Sequence, residues 1–184
     1  MQVFVSGTWK ADKAQPFREQ GLALGRILGE HHMDLACGPG TGIARHVIDG
    51  YRTVPVRGQV RYFLPRRDEM NKVGEVVAPG ADEVVESDYD YPMRNVWQVS
   101  MCSGLFILTG GDGALEEAIP ALVDYRIPVA AVDGSGSVVA ALKALIPIFP
   151  TWTEGIDFDA DVEALASRFI RRVLAAAAQV DEPT

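Results

Sequence analysis

An α/β fold with one doubly wound, mainly parallel sheet and helices on both faces is what this chain predicts, and three observations predict it. Apolar runs of strand length alternate with longer stretches of helical spacing along all 184 residues. Two of those strands empty into glycine-rich turns that lead straight into helices, at Gly38-Pro39-Gly40-Thr41-Gly42 and at Gly110-Gly111-Asp112-Gly113. No internal repeat, linker or low-complexity tract interrupts the alternation, so residues 1–180 read as a single domain and 181–184 as a frayed tail.

The elements follow in order. Val3-Phe4-Val5 is a first strand, closed by Ser6-Gly7-Thr8. A helix is expected from about Pro16, because proline suits the first helical position, and it runs through Leu24, Ile27 and Leu28 to Gly29. Asp34–Cys37 is the second strand, followed by the first glycine turn and a helix from Ile43. Val60–Leu64 is the third strand, stopped by Pro65. Residues 66 to 90 are polar and interrupted, with a short strand at Glu83–Glu86. Pro92 opens a helix through Met93, Arg94, Trp97 and Met101. Leu105 to Leu108 has the composition of a fully buried strand, and the helix after it spans about Gly113 to Tyr125, with Pro120 tolerated inside. That placement puts Glu116 and Glu117 in the first helical turn. Ile127–Val132 is a strand, Val138–Leu145 a helix and Ile146–Phe149 a last short strand. Asp159–Ala178 closes the chain as a helix with Val162, Leu165, Phe169, Ile170, Val173 and Leu174 at helical spacing.

Bulk properties narrow the function classes. A formal net charge of −8 argues against a nucleic-acid backbone as the main partner. Arg45, Arg52, Arg57, Arg61, Arg66 and Arg67 cluster in one stretch and read mostly as solvated surface. No apolar run is long enough to span a bilayer, and Met1-Gln-Val-Phe-Val does not open like a secretory signal, so a cytoplasmic protein is expected. Cys37 and Cys102, the two cysteines, sit in apolar sequence and read as buried thiols. His31, His32 and His46 have no metal-ligand spacing, and no metal is expected.

In a parallel sheet, ligands bind at the carboxyl ends of the strands, where both glycine turns fall. A glycine turn between strand and helix bares backbone N–H groups, and the helix dipole adds positive potential. One such turn commonly serves packing alone; two in a small chain point to a nucleotide or phosphosugar. Acidic residues beside the second turn suggest chemistry next to the bound phosphate. Hydrolysis of an N-glycosidic bond builds positive charge on the sugar, and a nearby carboxylate stabilises it or positions water.

The second glycine segment, Thr109-Gly110-Gly111-Asp112-Gly113-Ala114-Leu115-Glu116-Glu117, resembles the Pro-Gly-Gly-x-Gly-Thr-x-x-Glu motif of the Lonely Guy (LOG) family, once labelled lysine decarboxylases. Three glycines and the final glutamate align. Met93-Arg94-Asn95 occupies the place of the family's Met-His-x-Arg-Lys, with Arg94 sixteen residues before Gly110. Gly38-Pro39-Gly40-Thr41-Gly42-Ile43 looks like a shortened form of its other glycine signature. The resemblance implies a LOG-like Rossmann fold and an N-glycosidase (phosphoribohydrolase) releasing free base and ribose 5-phosphate from a nucleoside 5′-monophosphate, with no cofactor. It further implies Glu117 as catalytic carboxylate and Arg94 holding phosphate or orienting that carboxylate. Gly110, Gly111, Gly113, Ala114, Gly40, Thr41, Asp112 and Thr109 would line the substrate and phosphate site. It implies a homodimer as well, with the helix around Trp97 and Met101 at the interface.

Three positions depart from the motif. Ala114 stands for threonine, removing a hydroxyl from the presumed phosphate site. Thr109 stands for proline, and Asn95 for lysine. Each lost hydrogen bond to a charged group costs roughly 1.5–3 kcal/mol of binding. A non-catalytic nucleotide-binding or sensing protein built on the same loops is the competing expectation, favoured by Ala114 and Asn95 and opposed by Glu117 and Arg94. Lysine decarboxylation has no pyridoxal-phosphate lysine context. Asp112 reads as turn chemistry or as a ribose contact. Trp97, Tyr89 and Tyr91 flank Arg94 as base-stacking or packing residues. The identity of the base is left open.

Overall fold

The computed structural model of the chain describes residues 1–180; the tail expected at 181–184 lies outside them. Seven strands form one parallel sheet: β1 (Gln2–Ser6), β2 (Asp34–Cys37), β3 (Val60–Leu64), β4 (Glu83–Glu86), β5 (Gly104–Ile107), β6 (Val129–Val132) and β7 (Ile156–Asp159). Their order is β4-β3-β2-β1-β5-β6-β7. The chain lays down β2 to β4 on one side of β1, then crosses over to place β5 on the other. Val3 to Ser6 of β1 stand beside Gly104 to Ile107 of β5, and Gln2 to Phe4 beside Asp34 to Ala36 of β2. The order reverses between β1 and β5, which opens a crevice at their carboxyl ends.

Among the described residues, seven helices lie between strands and an eighth follows the last: α1 (Ala11–Ala14), α2 (Arg18–Glu30), α3 (Ile43–Tyr51), α4 (Arg67–Val73), α5 (Tyr91–Ser100), α6 (Asp112–Val123), α7 (Ser137–Leu145) and α8 (Val162–Val180). Alternation along β1 divides the core. Val3 and Val5 join one apolar cluster with Leu24 and Leu28 of α2, Val47 of α3 and Phe169 of α8. Phe4 joins the other with Val99 of α5, Ala118 of α6 and Leu142 of α7. The central strands β1, β2, β5 and β6 are buried on both faces and therefore read as near-continuous apolar runs, the expected signature of a parallel sheet, whereas the edge strands β4 and β7 are more exposed. Helices α2 and α3 cross closely because of glycine. A Cβ on Gly25 would lie 1.9 Å from the Val47 carbonyl oxygen, and one on Gly50 2.0 Å from that of Leu22.

Four sequence expectations need correction. The first helical segment begins at Ala11, not near Pro16, and Pro16 sits in a 3-10 turn, Gln15–Phe17, that joins α1 to α2. Helix α4 falls in the stretch without expected structure between Val60–Leu64 and Glu83–Glu86; it is polar and buries only Met70. Ile146–Phe149 is not a strand. Pro147 and Pro150 cannot donate to a ladder, and this segment leads into a 3-10 turn, Pro150–Trp152. The last strand is β7, whose Asp157 and Asp159 are tied to Arg168 of α8 at 2.7 and 2.9 Å. Finally, α6 starts at Asp112, so Glu117 falls in its second turn rather than its first.

Candidate functional site

A cavity of about 520 Å³ opens at the carboxyl ends of the central strands, between the turns that follow β1, β2 and β5 and the start of α5. Ser6 ends β1 at its base, only 2% exposed. From α5, Arg94 and Asn95 face the cavity, and Gln98, one turn beyond Arg94, lies fully buried behind it. Asp90 caps this helix by accepting a hydrogen bond from the Met93 N–H at 3.0 Å, and Pro92 occupies its first turn. From α6, Asp112, Gly113, Ala114, Glu116 and Glu117 line the cavity, with Gly111 just before it.

These residues form a connected polar chain. The Ser6 hydroxyl donates to Glu117 Oε2, and Gln98 Nε2 donates to Glu117 Oε1 at 2.6 Å. Arg94 Nη1 donates to Gln98 Oε1 at 2.8 Å. Arg94 therefore reaches Glu117 through Gln98, whose amide orients both. Arg94 is 6% exposed, and its buried Nε has no hydrogen-bond partner among the described residues. Burying a guanidinium N–H without an acceptor is costly, while the residue itself lines the cavity. Its guanidinium also lies 5.2 Å from the centre of the Tyr91 ring.

Burial lifts the Glu117 carboxyl to about 7. The Arg94 charge and the hydrogen bonds from Ser6 and Gln98 pull the other way, and neighbouring Glu116 adds to the lift. The group thus keeps its proton to a much higher pH than an exposed carboxyl does. Glu116 is exposed, and its carboxylate accepts from Asn95 Nδ2 at 2.8 Å. The side chain in place of the family's lysine is therefore tied to an acid of the next helix.

Helix α6 has no side-chain cap at its start. The N–H groups of Asp112, Gly113 and Ala114 have no acceptor within the helix and open at the cavity. Among the residues singled out from sequence, Glu117, Arg94, Gly111, Asp112, Gly113, Ala114 and Gly40 come together around it. Thr109, Gly110 and Thr41 lie outside its lining. Thr109 has φ +62°, an unusual backbone for a β-branched residue, and its N–H donates to the buried Ser135 hydroxyl at 3.0 Å. Proline fits neither that φ nor that bond, which accounts for its absence here. The first glycine turn serves packing as much as the cavity: a Cβ on Gly42 would lie 1.9 Å from the Thr8 carbonyl oxygen.

Sequence reasoning missed Ser6, Trp9, Lys10, Lys13 and Glu75, which all line the cavity, and Gln98 behind it. Ser6-Gly7-Thr8 carried a usable signal, being a small polar turn directly after a buried strand. Gln98 was marked by its four-residue spacing from Arg94, which places both on one helix face. Trp97 packs edge-on against Phe63, with ring centres 5.1 Å apart, so its role here is in the core. Cys37 and Cys102 are free and buried, and burial pushes both thiols up, Cys102 to about 12. No helix among the described residues is long and apolar enough to cross a membrane.

No family model and no curated protein matches the chain. Solved structures do. The protein TM1055 superposes with a TM-score of 0.75 at 20% identity, covering 92% of this chain and 98% of that one. The molybdenum cofactor carrier protein of Chlamydomonas reinhardtii superposes with a TM-score of 0.74 at 20% identity, covering 95% and 98%. The molybdenum cofactor binding protein of Rippkaea orientalis gives 0.69 at 16% identity, covering 94% and 95%. At this identity the likeness is one of architecture, and by it the chain is an α/β protein of Rossmann-like fold.

Proposed function

We propose that the chain hydrolyses the N-glycosidic bond of a nucleoside 5′-monophosphate, releasing free base and ribose 5-phosphate. The observation that carries this reading is Glu117, a buried carboxyl facing the cavity and held by Ser6 and Gln98 with Arg94 behind them. The phosphate would meet the uncapped N–H groups of α6 and the charge of the Arg94 guanidinium, which lines the cavity. As the bond from C1′ to the base breaks, its electron pair leaves with the base and positive charge develops on the ribose. The Glu117 carboxylate stabilises that charge and takes a proton from the water that adds to C1′. Gln98 and Ser6 keep the carboxylate oriented, and Arg94 favours its ionised form.

Release of base and ribose 5-phosphate from a panel of nucleoside 5′-monophosphates, followed by chromatography, tests the proposal. Release from at least one member, abolished in Glu117→Gln, is expected; release that persists in that variant removes Glu117 from the chemistry.

A second reading, binding without hydrolysis, is supported by Ala114, by the Asn95–Glu116 bond and by the carrier and binding proteins of the same fold. Tight binding of a panel member with no release would select it. Under either reading we place the protein in the cytoplasm and pair it with a second copy through α5 and α6. These helices pack together and expose Met93, Ile119 and Val123, with Met101 exposed just past the end of α5.

A further inference from the structure

One flank of the cavity plays no part in the chemistry above. It is built by the turns after β1 and β2 and by the segment that follows α4. Gly74 ends α4 with φ +71°, and the Glu75 N–H then donates to the Met70 carbonyl at 3.0 Å. That turn delivers Glu75 to the cavity with only 9% of its surface exposed. Glu75 Oε2 accepts the Tyr91 hydroxyl at 2.5 Å, whereas Oε1 accepts no hydrogen bond from any described residue. The Tyr91 hydroxyl holds its proton firmly, because burial and the bond to Glu75 both raise its pKa. Glu75 therefore presents an acceptor: Oε1 stays free at the cavity lining for an incoming donor.

Trp9 stands beside that oxygen. A Cβ on Gly40 would lie 2.7 Å from Trp9 Cβ and 3.1 Å from Glu75 Oε1, so the glycine is what lets both reach the same space. The Ile43 N–H donates to the Thr8 carbonyl at 2.9 Å and fixes the turn that carries the indole. Trp9 is 41% exposed and lines the cavity, with the Lys10 ammonium over its ring, 5.5 Å from the centre. Lys72 and Lys143 are ion-paired, but Lys10 meets no carboxylate among the described residues, so a ligand ring can displace it.

We propose that this flank is a base-recognition subsite. Trp9 stacks on a flat heterocycle, and Glu75 Oε1 accepts a hydrogen bond from an exocyclic amino group. The ligand is therefore an amino-bearing nucleotide rather than one with a carbonyl in that place. A carbonyl oxygen there would face the carboxylate acceptor-to-acceptor, leaving both without a proton. The inference rests on the nucleotide reading of the cavity.

Calorimetric titration of the full chain with two pairs of probes tests it, in the Glu117→Gln background so that no probe is consumed. Cytidine is compared with uridine 5′-monophosphate, and adenosine with inosine 5′-monophosphate; each pair exchanges an amino group for a carbonyl. The amino-bearing member of at least one pair should bind about tenfold tighter or better. With Glu75→Gln added, the amide oxygen takes the Tyr91 hydroxyl and the amide N–H faces the ligand. The ratio should then fall to about one or invert, which a merely structural role would not produce. Trp9→Ala should weaken both members of the pair alike and abolish the quenching of tryptophan fluorescence by bound nucleotide. Equal affinities within both pairs, a ratio unchanged by Glu75→Gln, or affinities unchanged by Trp9→Ala would overturn the subsite while leaving the nucleotide site standing. Failure of all four probes to bind would overturn both.

Discussion

Glu117 titrates near 7 in the fold against 4.5 when exposed, and that difference has a sign. A carboxyl whose folded value is raised favours folding fully below its unfolded value and loses that contribution as pH climbs through the folded one. At pH 8 the buried carboxylate therefore strains the native state by on the order of 3 kcal/mol. Glu117→Gln should melt higher than the parent at pH 8 and alongside it at pH 4; a pH-independent gap would refute the shift. The same titration belongs in the rate: kcat/KM should rise through about pH 7 as the reactive carboxylate forms. Arg94→Ala removes the charge that favours the ionised form, so this limb should move to higher pH while the reaction slows, and a limb that stays in place would separate Arg94 from Glu117. Backbone matters at this scale too. Thr109→Pro demands a negative φ where +62° is found and deletes the N–H bonded to Ser135. It should cost about 3 kcal/mol or more, read by urea denaturation.

Helices α2 and α3 pack through glycines rather than apolar knobs, so Gly25→Ala or Gly50→Ala should cost about 3 kcal/mol each by forcing the backbones apart. A thermal melt within 1 °C of the parent would show that the crossing is looser than the contacts imply. Strands β1 to β3, β5 and β6 and both glycine turns were legible in the sequence, because buried parallel strands write their apolar runs plainly. Strand β7 was not. Its Ile-Asp-Phe-Asp alternation is that of a half-buried edge, and its acids are explained only by Arg168, which the sequence places nine residues or more away. Ile146–Phe149 carried the apolar signal instead, and Pro147 within it and Pro150 after it were the clue that outweighed it. Helix α4 is polar and short, with one buried side chain to mark a face. At the cavity, Glu117 and Arg94 were legible from their register with the glycines. Glu75 was hidden because only the fold brings it against the turns after β1 and β2.

For the molecule as a whole, the proposed pairing through α5 and α6 predicts a sedimenting mass of twice 19.9 kDa. Met101→Asp combined with Val123→Glu should reduce it to one; a parent that sediments as a single chain refutes the pairing. The sheet order has a different consequence, for how the protein is made. Strand β1 lies at the middle of the sheet, between β2 and β5, yet of the sheet's seven strands it is the first to be synthesised. Its β2 side can close once residue 37 has emerged, but its other edge waits for residues 104–107. Throughout that interval the nascent chain carries a bare, fully apolar edge, Val3-Phe4-Val5, of the kind that recruits foreign strands. Ribosome-bound chains halted before Gly104 should bind a chaperone that shields apolar strands, and chains halted well beyond Asp159 should release it.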